Sequence, residues 1–434
     1  MRFDPRFFPM TKRLADRFPP KVLDLLKQAG QVAEEKGVRV CLVGGVVRDL
    51  LLGLPNLDLD LVVEGDGLTF AEALADRIGG EVKRHRRFGT ATIMLPDGLK
   101  LDVATARTEV YEHPAALPRV QPNTIEEDLG RRDFTINALA LDLGASHYGR
   151  LIDPFGGLRD LRDGIVRALH EQSYTDDPTR IFRAVRFEAR YGFKISQDDE
   201  KRIRKAVRSG LLMRLSDKRR FTELKLLLQE AAPIPPLKRL EELSVLRAFH
   251  PKLAIEGTIG WRLKDALAWA EALPLPYRPS AWKLYLLALL APLPPRSARM
   301  AGRRLGLPHK LLEEVFTNLK AYRALKRGQA LKPSRVHRLC RAASVEALLL
   351  AGSESERTRK AIAGYLAASQ GRAHLRGDDL KALGIAPGPI YREILEALQS
   401  ARLDGLVRSR EEELRYLKRR FGHVIAHQRR LIHA

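Results

Sequence analysis

The chain reads as an α+β protein, a small mixed α/β domain followed by a long all-helical remainder. Three observations predict this. Up to about residue 143, short apolar segments with period-two alternation recur between turn signals. From about Pro178 onward, Leu/Ala/Arg/Glu/Lys stretches of helical period dominate and strand signals almost vanish. Between them, Asp153-Pro154-Phe155-Gly156-Gly157 marks the change of texture.

Taken in order, the spacing predicts helices at 21–36, 46–52 and 68–78 and strands at 38–42, 57–63, 90–95, 100–105 and 136–143. Only Gly98 interrupts the run from Thr90 to Thr105, so a hairpin is expected there. Proline clusters at 233–236, 274–279 and 292–295 punctuate the helical part into subdomains. Near the end, Pro387-Gly388-Pro389 precedes a helix from Ile390 to about Leu403, and Ser409 with Glu412 forms a capping box for a last helix.

With 434 residues, 45% of them hydrophobic, the chain can bury more than one core. Its formal charge of +23 is spread along the chain and implies a polyanionic partner, most simply nucleic acid. No segment reads as membrane-spanning, and Arg-rich helices with few aromatics fit a membrane surface poorly. Cys41 and Cys340 alone make a disulfide framework unlikely to be the organising principle and point to a reducing cytoplasm. Asp4, Pro5 and Pro9 rule out an apolar signal-peptide core at the start.

The chemistry concentrates in Leu42-Val43-Gly44-Gly45-Val46-Val47-Arg48-Asp49 and Leu57-Asp58-Leu59-Asp60-Leu61. Alternation puts Asp58 and Asp60 on one strand face and Leu57, Leu59 and Leu61 on the buried one. Two such charges repel by about 1 kcal/mol even in water, and a divalent cation removes the repulsion. An ordinary strand with solvated carboxylates is the competing reading. Asp102 alternates on a strand of its own and is a third candidate acid. Gly44 and Gly45 open a helix whose unpaired N–H groups suit a phosphate, or they make only a tight turn. Arg48 projects toward the same phosphates or pairs with Asp49.

Arg131 and Arg132 stand at the mouth of a strand in Arg131-Arg132-Asp133-Phe134-Thr135-Ile136-Asn137, where guanidinium forks suit phosphate; an internal ion pair is the alternative, above all for Asp133. Asp177 with Pro178 is an ordinary helix start. The same spacing sets Asp177 and Arg180 on one helix face, an acceptor beside a donor fork that could read the edge of C or A. Arg183, Arg186, Arg190, Arg202, Arg204, Lys205 and Arg208 then stud the following helices, a solvated face or an RNA and phosphate surface.

Together these segments resemble the tRNA nucleotidyltransferase (CCA-adding enzyme) and poly(A) polymerase family of bacterial and eukaryotic type, within the polymerase-beta-like nucleotidyltransferases. The matching text is LVGGVVRDLLLG…LDLDLVVEG, DVATARTEVY, EEDLGRRDFTINALALDL, LIDPFGGLRDL and DDPTRIFRAVRFEARYGF, in the family's order over about residues 38–195, with a weaker RRFTELK match at 219–225. The tail GDDLKALGIAPGP…ARLDGLVRSREEEL resembles the C-terminal segment of bacterial relatives, some of which add only A or only CC.

The resemblance implies a polymerase-beta-like head with a mixed or antiparallel sheet at 38–150, after a helical extension at 1–37. A helical neck at 151–230, a body at 231–370 and a tRNA-binding tail at 371–434 would follow. It implies two Mg²⁺ ions on Asp58 and Asp60, one activating the tRNA 3′-hydroxyl and one holding the triphosphate. Asp102 stands where many relatives carry an acid, often Glu. Gly44, Gly45 and Arg48 would grip the triphosphate, and Arg131, Arg132, Asp133 and Asn137 would surround ribose and phosphate. Asp177 and Arg180 would read the incoming base of CTP or ATP, with Arg183 and Arg186 in the same nucleotide-binding set. The family's Glu at the first position of the base-reading block is Asp176 here. The expected partners are tRNA through its acceptor arm and elbow, ATP and CTP, and a separate CC-adding enzyme if only A is added. A poly(A) polymerase on general RNA ends and a non-catalytic RNA-binding protein are the competing functions.

Overall fold

The computed structural model describes residues 10–85, 89–110, 112–116, 118–327, 332–368 and 373–432. Tyr111 of the quoted motif text, and the first nine residues with Asp4, Pro5 and Pro9, lie outside them. The chain divides into two compact units, Met1–Ala248 and Phe249–Ala434.

In the first unit, α1 (Met10–Arg17) and α2 (Pro20–Glu35) precede β1 (Arg39–Val43), α3 (Gly45–Leu52), β2 (Leu59–Glu64) and α4 (Gly67–Ile78). There follow β3 (Glu81–His85), β4 (Thr90–Met94), β5 (Lys100–Thr105), β6 (Arg107–Val110), β7 (Arg119–Pro122) and α5 (Ile125–Gly130). A seven-stranded mixed sheet forms in the order β3-β4-β5-β2-β1-β8-β9, where β8 is Ala140–Asp142 and β9 is Leu151–Ile152. β2 and β5 run parallel and their register sets Asp60 opposite Asp102. The predicted hairpin is present, with Gly98 at φ +86° in its turn.

The two faces of β2 explain the position of the site. Leu59, Leu61 and Val63 are buried on one face, toward α4. Val62 shares the other face with Asp60 and packs with Cys41, Val43, Ile125 and Leu129, so α5 lies on the aspartate's side of the sheet. Two expectations are corrected here. Strand pairing begins at Leu59 rather than at residue 57, and Leu57 is 48% exposed, because Asn56 Oδ1 accepts the Asp58 N–H in a local turn that holds the chain off the sheet. The expected strand at 136–143 starts as a 3₁₀ turn, Thr135–Asn137, and only Ala140–Asp142 pairs, because Asn137 gives its side chain to Asp133.

The unit continues through α6 (Gly157–Asp163), β10 (Ile165–Val166), α7 (Ser173–Asp176), α8 (Thr179–Tyr191), β11 (Lys194–Ile195), α9 (Gln197–Arg208), α10 (Asp217–Leu228) and α11 (Ile234–Glu242), with α12 (Val245–Phe249) at the division. Gly157 admits no side chain, since a Cβ there would stand 2.2 Å from the Thr135 carbonyl oxygen. In the second unit, helices follow from α13 (Ile259–Glu271) to α22 (Arg410–Ile432). The expected helix after Gly388 runs Pro389–Leu403. Ser409 Oγ accepts the Glu412 N–H, but the Glu412 carboxylate turns to the Arg408 N–H rather than back to Ser409, so half of the expected capping box forms. Glu413, fully buried, accepts the N–H groups of His374 and Leu375. No helix of the described residues is long and apolar enough to cross a membrane. Cys41 and Cys340 are both free and buried, and burial pushes both thiols up to about 12.

Candidate active site

A cavity of about 510 Å³ in the first unit is bordered by Gly44, Asp58, Asp60, Arg132, Asp177 and Arg180, so the sequence motifs meet in one place. At one end α3 begins. Gly44 has φ +79°, a backbone conformation that favours glycine, and it lies against the Arg132 guanidinium, which a Cβ would have to displace. The first-turn N–H groups of α3 open beside it, a ready site for an anion.

Burial and the neighbouring Asp58 push the Asp60 carboxyl up to about 6, against the opposing pull of Arg132. Arg132 Nε is buried and has no hydrogen-bond partner. A cavity where exposed Asp58 repels half-buried Asp60 and a guanidinium donor is unfilled suits a cation on the carboxylates and an anionic oxygen on the guanidinium. Asp58 and Asp60 therefore have the chemistry to hold a divalent metal. Asp102 faces Asp60 across the β2–β5 register, and its charge also pushes the Asp60 carboxyl up. Its Oδ1 accepts the Thr92 hydroxyl at 2.5 Å, and it borders a separate hollow of about 390 Å³ shared with Asp60. Among the described residues no group of three or more acidic, histidine or cysteine side chains gathers to hold a metal.

Arg131 and Arg132 do not open a strand as expected; they follow the C-terminal end of α5, where Asp128 anchors both. Asp128 Oδ1 accepts from Arg131 Nε and Nη2 at 2.9 and 2.7 Å, and its Oδ2 from Arg132 Nη2 at 3.1 Å. Glu109 takes Arg131 Nη1 at 2.9 Å. Asp128 is 1% exposed, and sequence reading missed it although its spacing of three and four residues from the two arginines was the available signal.

Asp133 is an internal ion-pair partner. Its carboxylate accepts Arg183 Nε and Nη2 at 2.7 and 2.6 Å and Asn137 Nδ2 at 2.8 Å. Burial pushes its carboxyl up, but the Arg183 charge and these hydrogen bonds outweigh it and hold the group below its usual range. Asn137 in turn accepts from Arg48, whose Nε and Nη2 bind Asp49 at 2.9 and 3.0 Å.

Asp177 lies in extended backbone between α7 and α8, with φ −132°, so it does not share a helix face with Arg180 as the spacing suggests. It caps α8 nevertheless, since its Oδ1 accepts the N–H and hydroxyl of Thr179 at 2.9 and 2.5 Å. The same oxygen takes Arg219 Nη2 at 2.6 Å, and Arg219 Nη1 reaches the Ala115 carbonyl. Arg219 was legible only as part of the RRFTELK text. Arg180 is 5% exposed; Nη1 donates to Ser173 Oγ and Nη2 to the Arg131 carbonyl at 2.9 Å. Arg186 and Arg190 both bind Glu230, Arg202 binds Asp199, and Arg204 binds the Glu242 carbonyl, so much of the expected arginine surface is engaged within the unit. A larger cleft of about 800 Å³ beside α1 is lined by Arg13, Arg17 and Tyr191 but contains no paired carboxylates of this kind.

The Poly A polymerase head domain matches residues 40–167, and the probable RNA and SrmB- binding site of polymerase A matches 192–256. An A-adding tRNA nucleotidyltransferase of Halalkalibacterium halodurans is 34% identical over 92% of this chain and 93% of its own. The chain belongs to the tRNA nucleotidyltransferase and poly(A) polymerase family. It has that family's polymerase-beta-like head with a mostly helical remainder. An A-adding tRNA nucleotidyltransferase of Geobacter sulfurreducens is 40% identical over 92% of this chain, which spans 47% of that relative's length. The Thermotoga maritima CCA-adding enzyme solved in complex with tRNA superposes with a TM-score of 0.75 at 34% identity, covering 94% of this chain and 98% of that one.

Proposed function

We propose that this chain is a template-independent tRNA nucleotidyltransferase that adds A, alone or as the last step of CCA synthesis, to the tRNA 3′ end. The observation that carries the reading is the meeting, in one cavity, of an acidic pair beside a glycine-opened helix with an acceptor and a buried arginine across from it. The 3′-oxygen attacks the α-phosphorus of ATP, the bond to the β-phosphate oxygen breaks, and pyrophosphate leaves. Mg²⁺ held by Asp58 and Asp60 would polarise the attacking hydroxyl and neutralise charge on the triphosphate. Arg132 and the N–H groups opening α3 orient the phosphates. Asp177 accepts from the exocyclic amine of the base and Arg180 donates to its ring acceptors, in place of a template strand. Arg131, Asp133 and Asn137 hold these groups in position, and Asp102, opposite Asp60 in the sheet, is the third candidate acid. The head at 38–150 and neck at 151–230 supply this site, while the basic body and tail at 231–434 hold tRNA by its backbone. The cytoplasm, where tRNA is made and thiols stay reduced, is the natural compartment.

Extension of three synthetic tRNAs, ending before CCA, after C and after CC, with CTP, ATP or both, tests this. Addition of A to the CC end in Mg²⁺ is expected, and no incorporation on any of the three refutes the assignment. Long A tails on unstructured RNA would make it a poly(A) polymerase instead.

A further inference from the structure

We propose that Asp49 is a positioning residue that sets the loop carrying Asp58 and the helix carrying Arg180 against each other, an inference that rests on the metal role of Asp58. Asp49 is 8% exposed in the middle of α3, and its carboxylate is full. Oδ1 accepts Arg48 Nε at 2.9 Å and the Tyr191 hydroxyl at 3.1 Å; Oδ2 accepts Arg48 Nη2 at 3.0 Å and Asn56 Nδ2 at 2.7 Å. A carboxylate has about four acceptor positions. With these taken, Asp49 has none left for a metal or a substrate, so what it does it does through its partners.

Each partner leads to one end of the site. Asn56 donates to Asp49 with its amide nitrogen and accepts the Asp58 N–H at 2.8 Å with its oxygen, so the turn that delivers Asp58 is tied to α3. The same amide lies 3.8 Å from where a Cβ on Gly45 would stand, beside the helix start. Tyr191 is the last residue of α8, the helix whose second residue is Arg180. The Arg48 guanidinium sits 4.7 Å from the Tyr191 ring centroid and 5.2 Å from that of Phe187, then reaches Asn137, Asp133 and Arg183. α8 is thus fastened to α3 at its C-terminal end through Tyr191 and along its length through Arg183. A carboxylate at position 49 is the one group that accepts from all three donors at once.

The test uses the full chain with Asn56→Ser, which keeps an acceptor for the Asp58 turn but cannot reach Asp49, and Tyr191→Phe, which removes one hydroxyl and no packing. Steady-state A addition to a tRNA ending in CC is measured against Mg²⁺, ATP and tRNA, with a thermal melt of each variant. Asn56→Ser is expected to raise the Mg²⁺ needed for half-maximal rate about 10-fold. Tyr191→Phe is expected to raise it about 3-fold. Both should leave KM for tRNA and the melting temperature near wild type. The double variant should be no worse than Asn56→Ser alone, because both cuts sever one chain of contacts. An unmoved Mg²⁺ dependence in Asn56→Ser, or strictly additive effects in the double variant, overturns the proposal. Asp58→Ala, run alongside, separates the two levels: if it incorporates A like wild type, the metal reading itself fails, and if it is inactive while both positioning variants behave normally, only the role of Asp49 falls.

Discussion

The acidic end of the cavity and the end proposed to face the base are built in opposite ways. At the acidic end Asp60 is held near 6 by burial and by Asp58, and Arg132 Nε has no partner. At the other end Asp177, Arg180, Arg183 and Arg186 are bonded to Thr179, Ser173, Asp133 and Glu230. The first is an arrangement that a bound cation and a phosphate would relax; in the second these four side chains already hold protein partners. A site of this kind separates its tasks. In the proposed reading, charge is left unbalanced where phosphoryl transfer would take place, while the groups proposed to face the base are hydrogen-bonded beforehand, which lowers the ordering cost of selection.

Substitutions sharpen this contrast in order of expected size. Asp60→Asn relieves the repulsion and removes a metal ligand, so A addition should fall on the order of 10³-fold while tRNA binding, measured by filter retention, stays near wild type. Residual activity close to wild type would remove Asp60 from the chemistry. Arg183→Ala strands the Asp133 carboxylate and should cost about 2 kcal/mol in urea unfolding at pH 7, less than the roughly 3–5 kcal/mol of a fully enclosed pair because Arg183 is 36% exposed. The Asp133 carboxyl is held below its unfolded value of about 3.9, so the pair stabilises fully above that pH and progressively less as the pH falls through the lower folded value. Arg183→Ala should therefore flatten the acid limb of the stability curve, and an identical limb would deny the pairing. Arg180→Ala should lower the preference for A over C about 10-fold, with a smaller change in KM for ATP. Unchanged incorporation ratios would show that the base is read elsewhere. Leu57→Ala, the smallest, should shift stability by under about 0.5 kcal/mol, whereas the buried Leu59→Ala should cost about 2–5 kcal/mol.

That last pair also marks where sequence reading stopped. Alternation identified β2, β4 and β5 to within about two residues, because one face of each is plainly apolar. It placed Leu57 inside, since the period alone cannot register the Asn56 turn that delays pairing until Leu59. The run after Phe134 is apolar enough to pass for a strand, yet the side-chain ties of Asn137 turn its start into a 3₁₀ turn. β3 was missed because Glu81, Lys83 and Arg84 hide its alternation at the sheet's edge. In the site, the motif residues converge because local patterns set each of them near a strand or helix end. Of their anchors, Asp128 had a local signal in its three- and four-residue spacing, but those distant in sequence had none. Arg219 meets Asp177 across 42 residues and Glu109 meets Arg131 across 22, and no local periodicity encodes such a pairing.

The central claim, that the acidic end is where a cation completes the site, is tested most directly without substrate. Thermal melts of wild type, Asp60→Asn and Arg180→Ala are recorded over a range of Mg²⁺ concentrations. A cation that binds the folded state raises the melting temperature in proportion to the logarithm of its concentration once above its Kd. Wild type and Arg180→Ala should both rise with Mg²⁺, and Asp60→Asn should stay flat. An equal rise in all three proteins would place any Mg²⁺ site away from Asp60 and contradict the account.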